Sequence, residues 1–290
     1  MGKIVSLLSG DGMVMCHAAD TTDIVARAEY LHQTSAVVTA GLGRLLTAAS
    51  LMGFRMKGED DSLTLRIKGD GPVETLIAVS DSNGNVRGYP ENPIVELPLN
   101  SHGKLDVAGA VGENGMLYVM RDLGLREPYI GTTPIVSGEI AEDIAYYYAT
   151  SDQIPTVCAL GVLVNKDLTV LAAGGFIAQL LPGASDAHIE QLEQNVNALP
   201  SITEMLSAGK TPEEIAALVL GGFEPAKTDE LDIEYQCKCS RERVEKALIS
   251  LGREELLAMA EEQDKAEVDC HFCNRKYRFS VNELKELAGG

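Results

Sequence analysis

The segment Leu63-Thr64-Leu65-Arg66-Ile67 alternates apolar and polar side chains, and this period of two is typical of a strand with one buried face. Residues 116–119 repeat the alternation. Between these segments lie Gly69-Asp70-Gly71-Pro72 and Asn83-Gly84-Asn85, whose glycine, proline and asparagine residues favour tight turns. Together these patterns predict short strands joined by turns.

Helical segments interrupt the predicted strands. We expect one helix over residues 21–33, capped by Thr21 or Thr22, and a second over residues 35–56. Ser137 is expected to cap a third helix, because acidic side chains in its first turns would interact favourably with the helix dipole. Those side chains are Glu139, Glu142 and Asp143.

Three more strands are expected in the same region, over residues 4–8, 157–164 and 169–173. Strands and helices therefore do not alternate regularly along the chain. This order favours an α+β fold over a doubly wound parallel sheet. We expect residues 1–180 to form an N-terminal mixed-sheet domain with packed helices.

The charge balance excludes several classes of partner. The 290 residues include 24 Lys and Arg and 43 Asp and Glu, a net charge of −19 at pH 7. Such an acidic chain is unsuited to nucleic acid or anionic membranes, because phosphate contacts need clustered cations. The N-terminus lacks the apolar run of a secretory signal. The apolar stretch 36–56 contains Arg44 and Arg55, which favours a buried helix over a membrane span. We therefore expect a cytoplasmic protein.

The character of the sequence changes near residue 181. Residues 186–234 carry eleven acidic and two basic side chains, a net charge of −9. Helical signals persist, since Thr211 begins a capping box with Pro212 at the first helical position, and one apolar stripe recurs at spacings of three and four. The stripe consists of Ile189, Leu192, Val196 and Leu199. Short helices are marginal on their own. Residues 181–230 are thus expected to form an acidic helical linker that is stable only while packed on the C-terminal module.

Residues 231–290 are expected to form a small third domain. Its predicted helices cover residues 241–250, 253–262 and 281–288, and Ser280 with Glu283 forms a second capping box. A domain of about 60 residues with few apolar positions lies near the limit of independent stability. A feature other than its hydrophobic core must hold it together.

Four of the six cysteines cluster in this last domain. Cys237-Lys238-Cys239 is followed thirty residues later by Cys270-His271-Phe272-Cys273. Two pairs of thiolates suit tetrahedral zinc, and clustered cysteines in an unexported chain favour metal or redox chemistry over a disulfide framework. Cys16 and Cys158 stand apart and are expected to be small buried residues.

The spacing alone leaves the role of this cysteine cluster open. A closed structural zinc site, an iron–sulfur cluster and unliganded buried thiols are all compatible with four cysteines. A redox switch is also permitted energetically. Structural zinc contributes about 10–16 kcal/mol to folding, whereas a disulfide within either pair would close a very short loop and contribute roughly 2 kcal/mol. Oxidation within the pairs would therefore expel the metal and unfold the domain.

The chain resembles the redox-regulated 33 kDa chaperonin family over essentially its whole length. The most specific part of the resemblance is the four-cysteine pattern, with Ser240 after the first pair and Tyr277 and Phe279 after the second. Supporting stretches are residues 69–72, 86–89 and 138–147.

This resemblance implies an ATP-independent chaperone rather than an enzyme. It implies that the reduced chain holds one zinc on Cys237, Cys239, Cys270 and Cys273 and is inactive. Oxidative and heat stress would form the disulfides Cys237–Cys239 and Cys270–Cys273, release zinc, and unfold the C-terminal domain and the linker. A homodimer supported by the N-terminal domain would then hold unfolding client proteins.

The residues agree with a holdase on their own terms. The sequence contains no Gly-x-x-x-x-Gly-Lys-Ser/Thr phosphate-binding motif, which argues against ATP-driven cycling. A melted linker would present its apolar stripe, together with Leu218 and Val219, between many carboxylates. Such a segment could contact clients while its charge keeps the complex in solution.

Three other functions compete on the sequence alone. A thiol–disulfide oxidoreductase could use Cys270-His271-Phe272-Cys273, although such a motif usually opens a helix after a strand. His188-Ile189-Glu190 suggests a zinc deaminase, but Asp269 stands where that motif has proline, and four thiolates leave no open zinc position. A zinc-ribbon module would bind protein rather than nucleic acid, because residues 228–290 carry fifteen acidic and ten basic side chains, a net charge of −5.

Overall fold

Strands and helices form two units, Met1–Gln236 and Cys237–Gly290, in a computed structural model that describes residues 1–262 and 265–289. The strands are β1 (Gly2–Leu8), β2 (Val14–Asp20), β3 (Ser62–Lys68), β4 (Thr75–Asp81), β5 (Val86–Pro90), β6 (Met116–Asp122), β7 (Tyr129–Pro134), β8 (Thr156–Val164), β9 (Val170–Leu180), β10 (Ala226–Ile233), β11 (Lys265–Asp269) and β12 (Lys276–Ser280). The helices are α1 (Thr22–His32), α2 (Ala36–Gly53), α3 (Val107–Val111), α4 (Ala141–Tyr147), α5 (Asp186–Asn197), α6 (Ile202–Ser207), α7 (Pro212–Val219), α8 (Arg241–Leu251), α9 (Arg253–Glu262) and α10 (Val281–Gly289).

Two five-stranded antiparallel sheets form the framework of the first unit. Sheet 1 has the order β10-β1-β2-β9-β8, and sheet 2 has the order β5-β4-β3-β6-β7. The alternating segment at residues 63–67 lies in β3, the central strand of sheet 2, and its apolar members Leu63, Leu65 and Ile67 are buried. The α+β class expected from the sequence is confirmed, with antiparallel pairing throughout both sheets.

Helix α2 forms the centre of the first hydrophobic core. It contacts strands of both sheets, and Leu45, Leu46 and Leu51 are fully buried. By length and composition alone α2 could cross a membrane, but 89% of it lies inside the protein. This is the buried helix that the sequence predicted over residues 35–56.

The acidic segment after β9 covers the face of sheet 1 that is opposite α2. Helices α6 and α7 contact strands of that sheet, and a second core joins side chains of both. The sheet contributes Val5, Leu7, Val14, Cys16, Ala18, Phe176, Ala178 and Leu180, and the acidic segment contributes Leu192, Ile202, Met205, Ile215, Ala216, Val219 and Leu220. The packing partner that we expected in the C-terminal module is thus supplied by sheet 1.

The helical signals of this segment are confirmed in detail at two places. In the predicted stripe Leu192 is buried, Val196 and Leu199 are partly buried, and Ile189 is 38% exposed. The capping box is formed as predicted, since the Thr211 hydroxyl accepts the Glu214 N–H at 3.2 Å and the Glu214 carboxylate accepts the Thr211 N–H at 2.7 Å.

Residues 226–230, which lie in the expected helical linker, belong instead to strand β10, and this prediction is wrong for them. β10 pairs antiparallel with β1 and extends the edge of sheet 1. Lys227 forms ion pairs of 2.8 Å with Glu213 of α7 and with Glu230, and Lys3 of β1 pairs with Glu230 as well. Exposed ion pairs of this kind contribute little individually, but they join β10, α7 and β1.

Beyond β10 the chain is tied to sheet 2. Tyr235 forms a bridge with Val86 of β5, and its hydroxyl donates a 2.8 Å hydrogen bond to the Gly88 carbonyl. Residues 226–236 therefore run along the edge of sheet 1 and then reach the edge of sheet 2, and this segment ends one residue before Cys237.

Two further local predictions are corrected by the structure. Ser137 does not cap α4, which begins at Ala141. The buried carboxylate of Asp143 caps it instead, accepting N–H bonds from Val136 at 2.7 Å, Ser137 at 3.1 Å and Ile140 at 2.9 Å. The strand expected over residues 169–173 continues to Leu180 in β9. Helices pack on β9, and β2 and β8 pair with its two edges, so its glycines and alanines are buried.

The second unit combines three short helices with the hairpin β11–β12. Phe279 and Leu284 are fully buried, and Ser280 and Glu283 form the predicted capping box. The buried apolar residues described in this unit are Leu248, Leu256, Ala260, Ala266, Tyr277, Phe279, Leu284 and Ala288. So small a core lies near the limit of independent stability.

We expect the acidic helices to depend on their contact with sheet 1. Ile215 is 1% exposed, and Ile215→Ala should destabilise the packing of α7 by about 2–5 kcal/mol through loss of buried area and a residual cavity. Leu218→Ala is the matched control on the same helix, since Leu218 is 40% exposed. Amide hydrogen exchange should show faster opening of α7 only for Ile215→Ala, and equal protection in both variants would contradict this dependence.

Candidate metal centre

The four clustered cysteines are held by two local structures of the second unit. Cys237 and Cys239 precede α8, whose first turn is capped by the Ser240 hydroxyl accepting the Arg243 N–H at 3.3 Å. Cys270 follows β11, and Cys273 lies in the turn that leads into β12. The start of a helix thus carries the first cysteine pair, and a hairpin turn carries the second.

Backbone hydrogen bonds fix the turn that carries Cys270 and Cys273. The Cys270 N–H donates to the Arg275 carbonyl at 2.9 Å, and the Cys270 carbonyl accepts the N–H groups of Cys273 at 3.2 Å and Asn274 at 2.8 Å. Asn274 has a φ of 55°, a left-handed conformation that asparagine tolerates better than most residues. The turn orients both sulfur atoms to one side before any ligand is bound.

The four sulfur atoms lie within 4.8 Å of one another. Cys237 Sγ and Cys270 Sγ are 3.6 Å apart, and Cys239 Sγ and Cys273 Sγ are 3.4 Å apart. Four sulfurs bound to one tetrahedral zinc at about 2.3 Å would be separated by about 3.8 Å, whereas a disulfide needs about 2.05 Å. All four cysteines are free thiols. The distances between their sulfur atoms fit a bound metal ion of the kind that prefers sulfur ligands.

The neighbouring phenol distinguishes one of the four thiols. Burial raises the pKa of Cys239, but hydrogen bonds from Tyr277 and the other three cysteines outweigh it and lower that pKa to about 7. The Tyr277 hydroxyl donates to Cys239 Sγ at 3.1 Å. Burial raises the pKa of Cys237 and of Cys273 above the usual range. The hydrogen bond from Tyr277 thus favours the thiolate form of Cys239, which is the nucleophilic and metal-binding form.

Five cations lie close to the four cysteines in the sequence, where they could offset the thiolate charge: Lys238, Arg241, Arg243, Arg275 and Lys276. Two of them pair with carboxylates, Arg241 with Glu283 at 2.6 Å and Lys276 with Glu267 at 2.5 Å. Arg275 faces the cluster, since its interactions with Tyr277, Cys239 and Cys273 raise its pKa.

The structure also places the residues on which the competing functions depended. The Cys270–Cys273 motif occupies a hairpin turn rather than the start of a helix, which weakens the comparison with thiol–disulfide oxidoreductases. His188 uses Nδ1 for the Ser185 hydroxyl at 2.7 Å and Nε2 for Asp11 at 2.8 Å. Nδ1 thus belongs to the N-terminal cap of α5 and Nε2 holds α5 to the β1–β2 turn, which leaves neither nitrogen available for zinc.

The other cysteines lie in the first unit. Cys16 is fully buried in β2, as expected, and Cys158 is partly buried in β8. The sequence identified Tyr277 only as part of the cysteine motif and did not predict its hydrogen bond to Cys239. Its alternation with Phe279 in β12 was the available signal, since both side chains face the interior.

Comparison with known proteins gives a consistent result over the whole chain. The family described as Hsp33 protein matches residues 2–280. The 33 kDa chaperonin of Clostridioides difficile (strain 630) is 52% identical over 284 residues, covering 98% of this chain and 97% of that protein. The 33 kDa chaperonin of Geobacillus sp. (strain WCH70) is 49% identical, with 98% and 96% covered.

A solved structure agrees with the fold described above. The crystal structure of the 33 kDa chaperonin from Thermotoga maritima, a heat shock protein 33 homologue, superposes with a TM-score of 0.91. The two sequences are 40% identical, and the match covers 99% of this chain and 97% of that one.

Removing one sulfur tests whether all four cysteines act as one metal site. Cys270→Ser should weaken zinc binding about 100-fold or more, because one of four thiolates that share about 10–16 kcal/mol of binding free energy is lost. Competition with a chromogenic chelator measures the affinity, and Cys158→Ser is the matched control with unchanged zinc binding. Equal zinc affinity in the two variants would rule out the four-sulfur site.

Proposed function

Since this chain belongs to the Hsp33 family, we propose that it is a redox-regulated, ATP-independent holdase for proteins that unfold under oxidative and heat stress. In this proposal the reduced chain binds one zinc through Cys237, Cys239, Cys270 and Cys273 and is inactive. The observation that carries the proposal is the set of four free thiols within 4.8 Å of one another. Such a set can bind a metal when reduced and can form disulfides when oxidised.

The activating step is the oxidation of two thiol pairs to the disulfides Cys237–Cys239 and Cys270–Cys273. Each pair of thiolates loses two electrons, and one molecule of hydrogen peroxide per pair takes them up with two protons from the solvent and leaves as two waters. Disulfide sulfurs are poor zinc ligands compared with thiolates, because the thiolate is the metal-binding form. Once both disulfides have formed, the four sulfur atoms would therefore no longer hold a zinc ion.

The balance of free energies then favours unfolding of the second unit. Zinc contributes about 10–16 kcal/mol to the folding of a structural site, and each disulfide over so short a loop contributes roughly 2 kcal/mol. The small hydrophobic core around Phe279 and Leu284 cannot supply the folding free energy that is lost when zinc is replaced by the two disulfides. Oxidation thus converts a folded domain into an unfolded segment that begins at Cys237.

The linker provides the covered apolar surface that a regulated holdase requires. Helices α5, α6 and α7 contain 12, 6 and 8 residues, and helices so short are marginal without tertiary packing. Unfolding of this segment would expose both its own apolar residues and the covered face of sheet 1, where Phe176 and Val14 lie. Two apolar surfaces then become available to clients from one event.

The remaining parts of the proposal concern organisation and partners. We propose that residues 1–180 form the core and dimerisation domain, that the acidic linker begins at residue 181 and ends where β10 starts at Ala226, and that Cys237–Gly290 form the redox-switch domain. The active form is a cytoplasmic homodimer that binds unfolded clients without catalysing a reaction. The net charge of −19 supports the exclusion of nucleic acid and anionic membranes as partners.

A combined metal and aggregation assay tests the switch. Peroxide at raised temperature should release one zinc per chain, lower the helical circular dichroism, and allow the protein to suppress aggregation of a thermally unfolding client without ATP. The reduced, zinc-loaded protein should not suppress it. The double variant Cys16→Ala, Cys158→Ala should switch like the wild type, because neither residue belongs to the cluster. An oxidised protein that keeps its zinc and its circular dichroism would contradict the proposal.

Turnover separates this switch from a thiol–disulfide oxidoreductase. The switch predicts at most about one round of thiol exchange per chain, and it predicts that loss of zinc destroys the fold of the second unit. An oxidoreductase would reduce many equivalents of a disulfide substrate with no metal bound. Reduction of insulin disulfides by the zinc-free protein with a recycling reductant distinguishes the two, and sustained turnover there would favour the enzyme.

A further inference from the structure

A cavity of about 460 Å³ opens in the first unit where α2 ends. Its volume lies in the range of pockets that bind small molecules. Three cationic side chains line it, together with the phenol of Tyr148, two carboxylates and an apolar wall. The cations are Arg55, Lys57 and Arg121, and the apolar side chains are Met52, Met56, Leu123 and Ile154.

Arg55 brings a positive charge that its hydrogen-bond partners do not neutralise. Its Nη1 atom donates to Gln179 Oε1 at 2.8 Å and lies 3.3 Å from His17 Nε2. His17 is 3% exposed, and its burial, together with the charge of Arg55, lowers its pKa to about 3. The ring is therefore neutral and accepts the Arg55 proton at Nε2. A neutral amide and a neutral imidazole thus fix the guanidinium in place without a counter-charge.

The two carboxylates of the cavity are already engaged. Asp152 accepts Arg121 Nη2 at 2.6 Å and the Tyr147 hydroxyl at 2.9 Å. Asp61 accepts the backbone N–H of Gly58 at 2.9 Å. With three cations and two carboxylates, the wall keeps a net positive charge on a chain whose total charge is strongly negative.

Tyr148 supplies a phenol to the wall of the cavity. The residue is 5% exposed and lines the cavity. Burial raises the pKa of Tyr148 to about 12, although Arg121 and Arg55 both lower it. The phenol is therefore protonated at neutral pH. A protonated phenol in the cavity wall can donate a hydrogen bond to an anionic ligand.

We propose that this cavity binds a small organic oxyanion, with its carboxylate or phosphate group on Arg55 and the Tyr148 hydroxyl and its apolar body against Met52 and Met56. Charge-assisted hydrogen bonds from a guanidinium and a phenol suit both head groups. The site lies in the first unit and uses none of the clustered cysteines. It is thus separate from the redox switch, and it stands or falls independently of it.

Isothermal titration of the full-length reduced, zinc-loaded protein tests the site. Benzoate and phenyl phosphate serve as the two anionic probes, and phenol serves as the neutral probe of the same ring size. We expect one of the anions to bind and phenol not to bind, and the better anion identifies the head group. Arg55→Gln should weaken that binding at least about tenfold, because the uncompensated charge is lost.

Tyr148→Phe separates recognition from folding. The variant keeps the buried ring and removes only the hydroxyl in the cavity wall, so the thermal midpoint of the free protein should not fall, while anion affinity should drop about threefold to tenfold. Arg27→Gln is the matched control, because Arg27 is exposed on α1 and its loss should leave binding unchanged. Failure of both anions to bind at millimolar concentration, binding of phenol as tight as that of the anions, or equal affinity in Arg55→Gln and Arg27→Gln would overturn the proposal.

Discussion

Four sulfur atoms of the second unit lie within 4.8 Å of one another, and in the proposed switch the stability of that unit depends on the metal ion that they bind. The buried apolar set of the unit contains three alanines among eight residues, too little to order a domain of this size unaided. The atoms that can supply the missing free energy as metal ligands are also the most easily oxidised atoms of the chain. In the proposed switch, folding and redox state are therefore coupled through the same four sulfur atoms.

The first unit carries the complementary constraint, because sheet 1 has two apolar faces that need different covers. The inner face packs on α2, a helix of 18 residues whose leucines are fully buried. The other face is covered by the short acidic helices α5, α6 and α7, whose exposed side chains include six carboxylates and no Lys or Arg. Like charges on neighbouring helices repel one another and subtract from packing. The inner face of sheet 1 is thus covered by a long apolar helix, whereas the helices on its other face are short and less stable.

Sequence reasoning succeeded where the physical signal is local. The cysteine spacing, the capping boxes at Thr211 and Ser280, and helix α9 depend on neighbours within a few residues. Strand β10 was missed because its partner β1 lies more than 200 residues away, and its run of charged side chains conceals the alternation that buries only Ile233. The contact of Tyr277 with Cys239 was hidden for the same reason, since it depends on how the β11–β12 hairpin meets the start of α8.

The acidic surface affects the proposed anion cavity and the linker in different ways. At physiological salt, exposed charges are screened beyond about 8 Å, so the acidic surface does not forbid an anion in the cavity at the end of α2, but it offers no long-range attraction either. An anion there must be recognised by short contacts with Arg55 and Tyr148. The same acidic surface would act in the opposite way on an opened linker. It would keep apolar residues such as Leu192 and Ile215 next to carboxylates, so that the exposed surface could bind clients and remain in solution.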